Sequence, residues 1–203
     1  MQSPSPLEVS LFSEALVPTV YGEFLVSVYK DNQSEDETVL ISHNLSDAVA
    51  PFIRVHSECF TGEVLGSLKC DCRDQLALSL KEIQKRGSGA VIYLRQEGRG
   101  IGLGNKIKAY DLQNKGADTI EANHMLGFGT DLRTFDRAAL ILKDRSIDKI
   151  VLNTNNPEKL ESLKNFGIEI TERVPSLSAV NEHNKDYLET KMKLLGHHLD
   201  PLF

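Results

Sequence analysis

PFIRVHSECFTGEVLGSLKCDCRDQLALSLKEIQKRGSGAVIYLRQ, residues 51–96, reads as strand, loop, helix and strand in succession. PFIRVHSE at 51–58 reads as a strand, the VAPFIRV stretch that leads it being apolar and β-prone. DQLALSLKEIQKRG places Leu76, Leu80 and Ile83 at helical spacing, with Asp74 as an acidic start and Gly87 as a stop. GAVIYLRQ at 89–96 is a continuous apolar run, the pattern of a strand buried on both faces. A strand, a helix and a second buried strand make a crossover unit, which belongs to a parallel or mixed sheet.

The pattern continues downstream. GNKIKAYDLQNKG, ending at Gly116, and DRAALILKDRS, from Asp136, read as helices, and DKIVLNTN at 148–155 as another buried strand. PEKLESLKNFG carries Pro157 at its first turn and Gly167 at its end, as helices often do. IEITERV is a strand, and NKDYLETKMKLLGHH a final helix closed near Gly196. Upstream the sequence is richer in strands. Residues 1–14 read as a loose leader, with strands expected near 15–20, 23–29 and 38–44 around an acidic hairpin loop, DNQSEDE at 31–37. The expected fold is a mixed α/β domain covering 1–203, with a β-rich, antiparallel N-terminal layer followed by alternating strands and helices.

All three cysteines, Cys59, Cys70 and Cys72, fall in the loop between the first strand and helix of the crossover unit. Cys70 and Cys72 flank one residue and do not easily bridge each other, but their sulfurs can converge on one ion if the backbone turns at Asp71. Three thiolates read as zinc with one open position, the arrangement of a catalytic site. Two other readings stand beside it: a structural zinc closed by His56, and three buried free thiols packed as small apolar groups. Arg54, His56, Ser57 and Glu58 precede the first cysteine at a strand end, where loops carry chemistry.

RQEGRGIGLGNK, residues 95–106, follows a strand and leads into a helix. Its spacing fits neither GxxxxGK[ST] nor GxGxxG. It combines Gly98, Gly100, Gly102 and Gly104 with Arg95, Arg99, Lys106 and nearby Lys108, a composition suited to a di- or triphosphate. DTIEANHMLGFGTDLRTFD at 118–136 is polar and irregular, and Asp131 within it has the commoner reading of a helix cap. LNTNNPEK at 152–159 closes a buried strand, where open α/β sheets bind ligands, and Thr154 and Lys159 are placed to touch one.

The chain has 203 residues, 40% hydrophobic and 26% charged, with a formal net charge of -6. That charge argues against nonspecific nucleic-acid binding but leaves room for a small anion held by local positive charge. An odd cysteine count in one cluster argues against a disulfide framework and suits a reducing compartment. There is no signal peptide and no apolar run of membrane-spanning length, so the expectation is a cytoplasmic protein with no membrane partner.

RVHSEC, CDC, YLRQEGRGIGLGNK, DTIEAN and LNTNNPEK, in this order and spacing, closely resemble GTP cyclohydrolase II, from about Arg54 to the YLETK and GH segments near the C-terminus. The resemblance implies an enzyme that opens riboflavin biosynthesis, converting GTP to a diaminopyrimidinone ribosylamino phosphate with release of formate and pyrophosphate. It implies Cys59, Cys70 and Cys72 as zinc ligands, with magnesium accompanying the triphosphate. Arg54, Val55, His56, Ser57, Glu58, Gln75, Glu97, Gly98, Arg99, Thr119, Thr154 and Lys159 match GTP contacts. Asp131 matches a proton acceptor, Arg133 a nucleophile and Tyr110 a further active-site residue. On chemical grounds Arg133 reads instead as a charge clamp on the α-phosphate, because a guanidinium stays protonated. A homodimer is implied; members of the family sometimes carry a dihydroxybutanone phosphate synthase fused in front, and since this sequence has no room for one the monofunctional form is expected. Three positions depart from the family's usual pattern: Arg73 after CDC, Gly104 in the glycine-rich segment, and Leu132 between Asp131 and Arg133.

Overall fold

Among the described residues, seven strands form one mixed sheet in the order β1-β2-β3-β5-β4-β6-β7. The computed structural model describes residues 5–177, together with 182, 184 and 192. Its strands are β1 Val9–Thr19, β2 Gly22–Asp31, β3 Thr38–His43, β4 Phe52–Ser57, β5 Gly89–Leu94, β6 Lys149–Asn153 and β7 Glu169–Val174. β1, β2 and β3 pair antiparallel, β3 meets β5 antiparallel, and β5, β4, β6 and β7 run parallel. The helices are α1 Phe60–Glu63, α2 Cys72–Arg86, α3 Gly102–Asn114, α4 Thr119–Met125, α5 Asp136–Asp144 and α6 Pro157–Asn165.

The expected α/β architecture is present, with four corrections at its edges. The leader is shorter than expected, because β1 starts at Val9 and pairs with β2 as far as Thr19↔Gly22. Almost all of β1 is exposed. An edge strand held by its backbone ladder carries little burial pattern, and even Pro18 fits there because an edge can spare one N–H. The helix after the cysteines begins at Cys72 rather than Asp74, so the third thiol sits in its first turn. The stretch read as irregular between 118 and 136 contains α4. Asp131 caps no helix, since α5 opens behind Phe135. The helix expected over 184–198 lies outside the described residues apart from positions 184 and 192.

β4 lies in the interior of the sheet, between β5 and β6, and is buried on both faces. Its pleat sends Ile53 and Val55 into a core with Leu152, Ala139, Leu142 and Leu163, beneath α5 and α6. Phe52, on the opposite face, packs with Val91, Leu80 and Ile83 beneath α2. The chain passes from β4 to β5 on one side and returns to β6 on the other. The crevice beyond the carboxyl end of β4 is therefore the switch point at which such sheets accept ligands.

Candidate active site

Arg54 and His56 share the β4 face of Phe52, and there an apolar-looking strand turns polar. Arg54 is buried, and each nitrogen of its guanidinium is engaged: Nε donates to His56 Nδ1 at 3.2 Å, Nη1 to Asn153 Oδ1 at 3.1 Å and Ser176 Oγ at 2.9 Å, and Nη2 to Gln75 Oε1. Burial lowers its pKa to about 10, which leaves it a cation at neutral pH. A guanidinium can only donate, so His56 Nδ1 accepts and the ring proton sits on Nε2, which donates to Glu63 Oε1 at 2.7 Å. Burial, and then the neighbouring Arg54, hold the imidazole neutral. Tyr93 faces His56 across β4 and β5, stacks on it with ring centres 5.6 Å apart, and donates its hydroxyl to Glu63 Oε2 at 2.6 Å. Burial pushes the Glu63 carboxyl up to about 7.

The three cysteine sulfurs lie within 4.8 Å of one another, with Cys59 and Cys70 3.6 Å apart. Three sulfurs each about 2.3 Å from a tetrahedral zinc stand about 3.8 Å apart, so the donor set fits that ion. Gly62 forms the wall behind them: a Cβ there would lie 2.9 Å from Cys70 Sγ and 3.2 Å from Cys59 Sγ. His56, the nearest candidate for a fourth ligand, has both ring nitrogens engaged by Arg54 and Glu63. Among the described residues the metal-binding group consists of the three cysteines. Hydrogen bonds from Cys70 and Cys72, and then the Lys106 ammonium, hold the Cys59 thiol far below its ordinary value, and hydrogen bonding to Cys59 pushes the other two up.

The glycine-rich segment and the Asp131 segment, separate in sequence, are stitched together. Gln96 Nε2 donates to Thr134 O at 2.8 Å, and Leu132 N donates to Arg99 O at 3.0 Å. Gly100 has φ +89 and a Cβ there would lie 3.1 Å from Leu132 Cβ, so only glycine allows the two loops to approach. Glu97 ties the same loop to the cysteines. Its Oε2 accepts from Phe60 N at 2.6 Å, at the entry to α1, and its Oε1 accepts from Lys106 Nζ at 2.8 Å. Arg133 pairs with Asp131, and its Nη1 lies 3.5 Å from Ser57 Oγ. Beyond β6, Lys159 donates to Val55 O at 2.8 Å, and Thr154 Oγ1 accepts from Asn156 N at 3.0 Å.

Arg54, His56, the three cysteines, Gln96, Glu97, Arg133 and Lys159 line a cavity of about 550 Å³, the size of a nucleotide-scale pocket. Its wall includes Arg54, Lys69, Arg99, Lys106, Arg133 and Lys159 against Glu58, Asp71, Glu97 and Asp118. A chain of net charge -6 thus presents a locally cationic site. Glu58 is raised above its ordinary value by burial, suiting it to proton transfer nearer neutral pH.

Of the residues expected at the site, His56, Ser57, Gln75, Gly98, Tyr110 and Thr154 also line this cavity. The Val55 side chain does not: it packs in the core on the opposite face of β4, and only its carbonyl reaches this side, as the acceptor for Lys159. Asp131 stands behind Arg133 rather than on the cavity wall. Thr119 opens α4, and its side chain lies outside the described residues. Sequence reasoning missed Glu63, Tyr93, Asn153 and Ser176, which hold the buried Arg54–His56 pair. Only the asparagine run at 153–156 carried a signal, a polar cluster at the end of a buried strand.

Residues 10–175 match the family described as GTP cyclohydrolase II. The chain is 50% identical over 194 residues to GTP cyclohydrolase-2 of Campylobacter fetus, covering 96% of this chain and 98% of that one. It is 46% identical over 189 residues to GTP cyclohydrolase-2 of Picrophilus torridus, covering 93% and 98%. It is also 49% identical over 185 residues to the riboflavin biosynthesis protein RibBA of Synechocystis, covering 90% of this chain and 33% of that longer one.

Proposed function

Because the chain belongs to the GTP cyclohydrolase II family of riboflavin biosynthesis, we propose that it holds one zinc ion on Cys59, Cys70 and Cys72 and converts GTP to a diaminopyrimidinone ribosylamino phosphate, releasing formate and pyrophosphate. The carrying observation is that a three-thiolate cluster and a cation-lined crevice open into one cavity. When bound, the zinc supplies Lewis acidity for hydrolysis at carbon 8 of the guanine ring and at the resulting formyl group.

The chain's own residues divide between the two ends of an extended nucleotide. At the ring end, Glu58 lies next to Cys59 with a carboxyl raised by burial, and it exchanges protons with the opening ring. The buried set of Arg54, His56, Glu63 and Tyr93 orders the floor beneath it and excludes water. At the phosphate end, Arg99 and Arg133 meet the triphosphate, and magnesium accompanies it. Arg133 acts as a charge clamp on the α-phosphate, stabilising charge as pyrophosphate departs. Asp131 holds the guanidinium in position through its hydrogen bonds.

The remaining contacts to GTP are Ser57, Gln75, Gly98, Thr154, Lys159 and the backbone at Val55, with Thr119 added from the family pattern and Tyr110 acting on the reacting nucleotide. We read the chain as a single domain and the protein as a cytoplasmic homodimer. Its free thiols and the resemblance support that reading, and no helix among the described residues is long and apolar enough to cross a membrane.

Incubation of the pure protein with GTP, zinc and magnesium, with products identified by mass, tests the proposal. Formate, pyrophosphate and the pyrimidine are expected in equal amounts. A different pterin-like product would place the chain in a paralogous activity, and binding without turnover would make it a nucleotide-binding module.

A further inference from the structure

Three thiolates around a divalent cation leave the site with net negative charge, and strong donation by sulfur dulls the Lewis acidity that opening an aromatic ring requires. The structure sets one cation directly against this donor set. Lys106 Nζ lies 3.1 Å from Cys59 Sγ and 2.8 Å from Glu97 Oε1, and its side chain is 12% exposed. Its stem passes close by the backbone of Gly98, where a Cβ would meet Lys106 Cβ at 3.1 Å. The ring of Tyr110, one turn further along α3, stands 5.7 Å from the ammonium. Glu97 is itself anchored by Phe60 N. The ammonium is therefore aimed at one sulfur by a carboxylate on one side and an aromatic ring on the other. A lysine serving only to brace the loop through Glu97 has no need to touch a metal ligand.

We propose that Lys106 is a positioning residue that tunes the metal: its N–H donated to Cys59 Sγ draws charge off that sulfur, weakens its donation and leaves the ion a stronger Lewis acid. Partners of this kind outside the ligand set alter metal sites through their hydrogen bonds. The inference rests on the three-cysteine metal reading above. Lys106 does not contribute a ligand, and its role does not depend on contact with GTP. It also answers the chemistry of the family pattern as it stands here, where the ligands are all thiolates and the compensating charge must come from outside them.

Cobalt substitution separates tuning from bracing, because the sulfur-to-cobalt charge-transfer band reports how high the sulfur lone pairs lie. Wild type, Lys106→Met and Lys106→Arg are each loaded with Co²⁺ and checked for fold by circular dichroism. Removing the ammonium raises the lone pairs, so Lys106→Met should move the band to lower energy. Lys106→Arg, whose charge is more spread, should move it less in the same direction. With zinc, kcat for formate release should fall about tenfold or more in Lys106→Met while KM for GTP stays within about twofold. A band at the wild-type energy in folded, metal-loaded Lys106→Met overturns the inference. Should that variant not fold, an unmoved band in Lys106→Arg overturns it equally. A wild-type protein that takes up no Co²⁺ and shows no sulfur band overturns the metal reading along with it.

Discussion

The Arg133 guanidinium closes on the Asp131 carboxylate two residues away, with Nη2 2.6 Å from Oδ2 and Nε 2.9 Å from Oδ1. Burial alone would raise the Asp131 carboxyl, but these hydrogen bonds hold it below its ordinary value. The pair therefore stays ionised at neutral pH, with the guanidinium a fixed cation. A nucleophilic role would require removing a proton from a group whose charge its partner stabilises.

Arg133→Ala should lower pyrophosphate release about 100-fold or more, the loss typical of deleting a group aimed at transition-state charge. Arg133→Lys should recover part of it. Following formate and pyrophosphate separately decides the role. Formate released by Arg133→Ala at an undiminished rate would rule out an obligatory covalent first step through Arg133. Loss of both products together would support one.

The purified protein should carry about one zinc per chain, the stoichiometry of a single three-thiolate site. Cys70→Ser should lose the metal and formate release while its circular dichroism stays native. Collapse of the fold in that variant would make the zinc structural, and an active preparation free of zinc would sink the site. Cys59→Ser adds an order-of-events test. If phosphate attack comes first it should still release pyrophosphate slowly, and if ring opening comes first it should release neither product.

Gly62→Ala should damage the metal site without damaging the helix. Alanine favours helical backbone over glycine, and Gly62 sits within α1. The added Cβ, however, would stand 2.9 Å from Cys70 Sγ. Metal analysis should find substoichiometric zinc in a protein of unchanged melting temperature. Full zinc occupancy would show that the cysteine loop shifts freely enough to absorb a methyl group.

Asp31 couples acid stability to the pairing of the β2 end with α5. Burial alone would raise its carboxyl, but the hydrogen bond from Arg137 Nε at 2.6 Å, with the N–H groups of Gln33 and Ser34 and the Ser34 hydroxyl, brings it down to about 2. The unfolded chain thus takes up the proton first. The contribution is complete above the ordinary value of 3.8 and is lost as the pH falls through about 2. Asp31→Asn should cost about 1–2 kcal/mol at neutral pH, after discounting for the partly exposed Arg137. Urea titrations of both proteins between about pH 5 and pH 3 should show the gap narrowing with acid. A gap that widens would contradict the assignment.

The strands from β4 to β7 with helices α2, α3, α5 and α6 between them, the helical spacing of Leu76, Leu80 and Ile83, and the clustering of Cys59, Cys70 and Cys72 were written in the sequence, because periodicity and spacing are local properties. So were the cationic glycine-rich segment and the polar end of β6. What only the tertiary structure decided depends on contacts between distant residues. The β1 ladder is one example: an exposed edge strand is held by backbone hydrogen bonds that leave no side-chain pattern. The pleat of β4 is another, since burial on both faces conceals which of Arg54, Val55 and His56 faces the site. Val55 went to the core for that reason, while Arg54 and His56 became tolerable there through Glu63, Tyr93, Gln75 and Asn153. The placement of Lys106 on Cys59, 47 residues earlier in the chain, came from the packing of α3 against the cysteine loop. A buried charge needs partners brought from several strands and helices, and which partners arrive is set by how those elements pack.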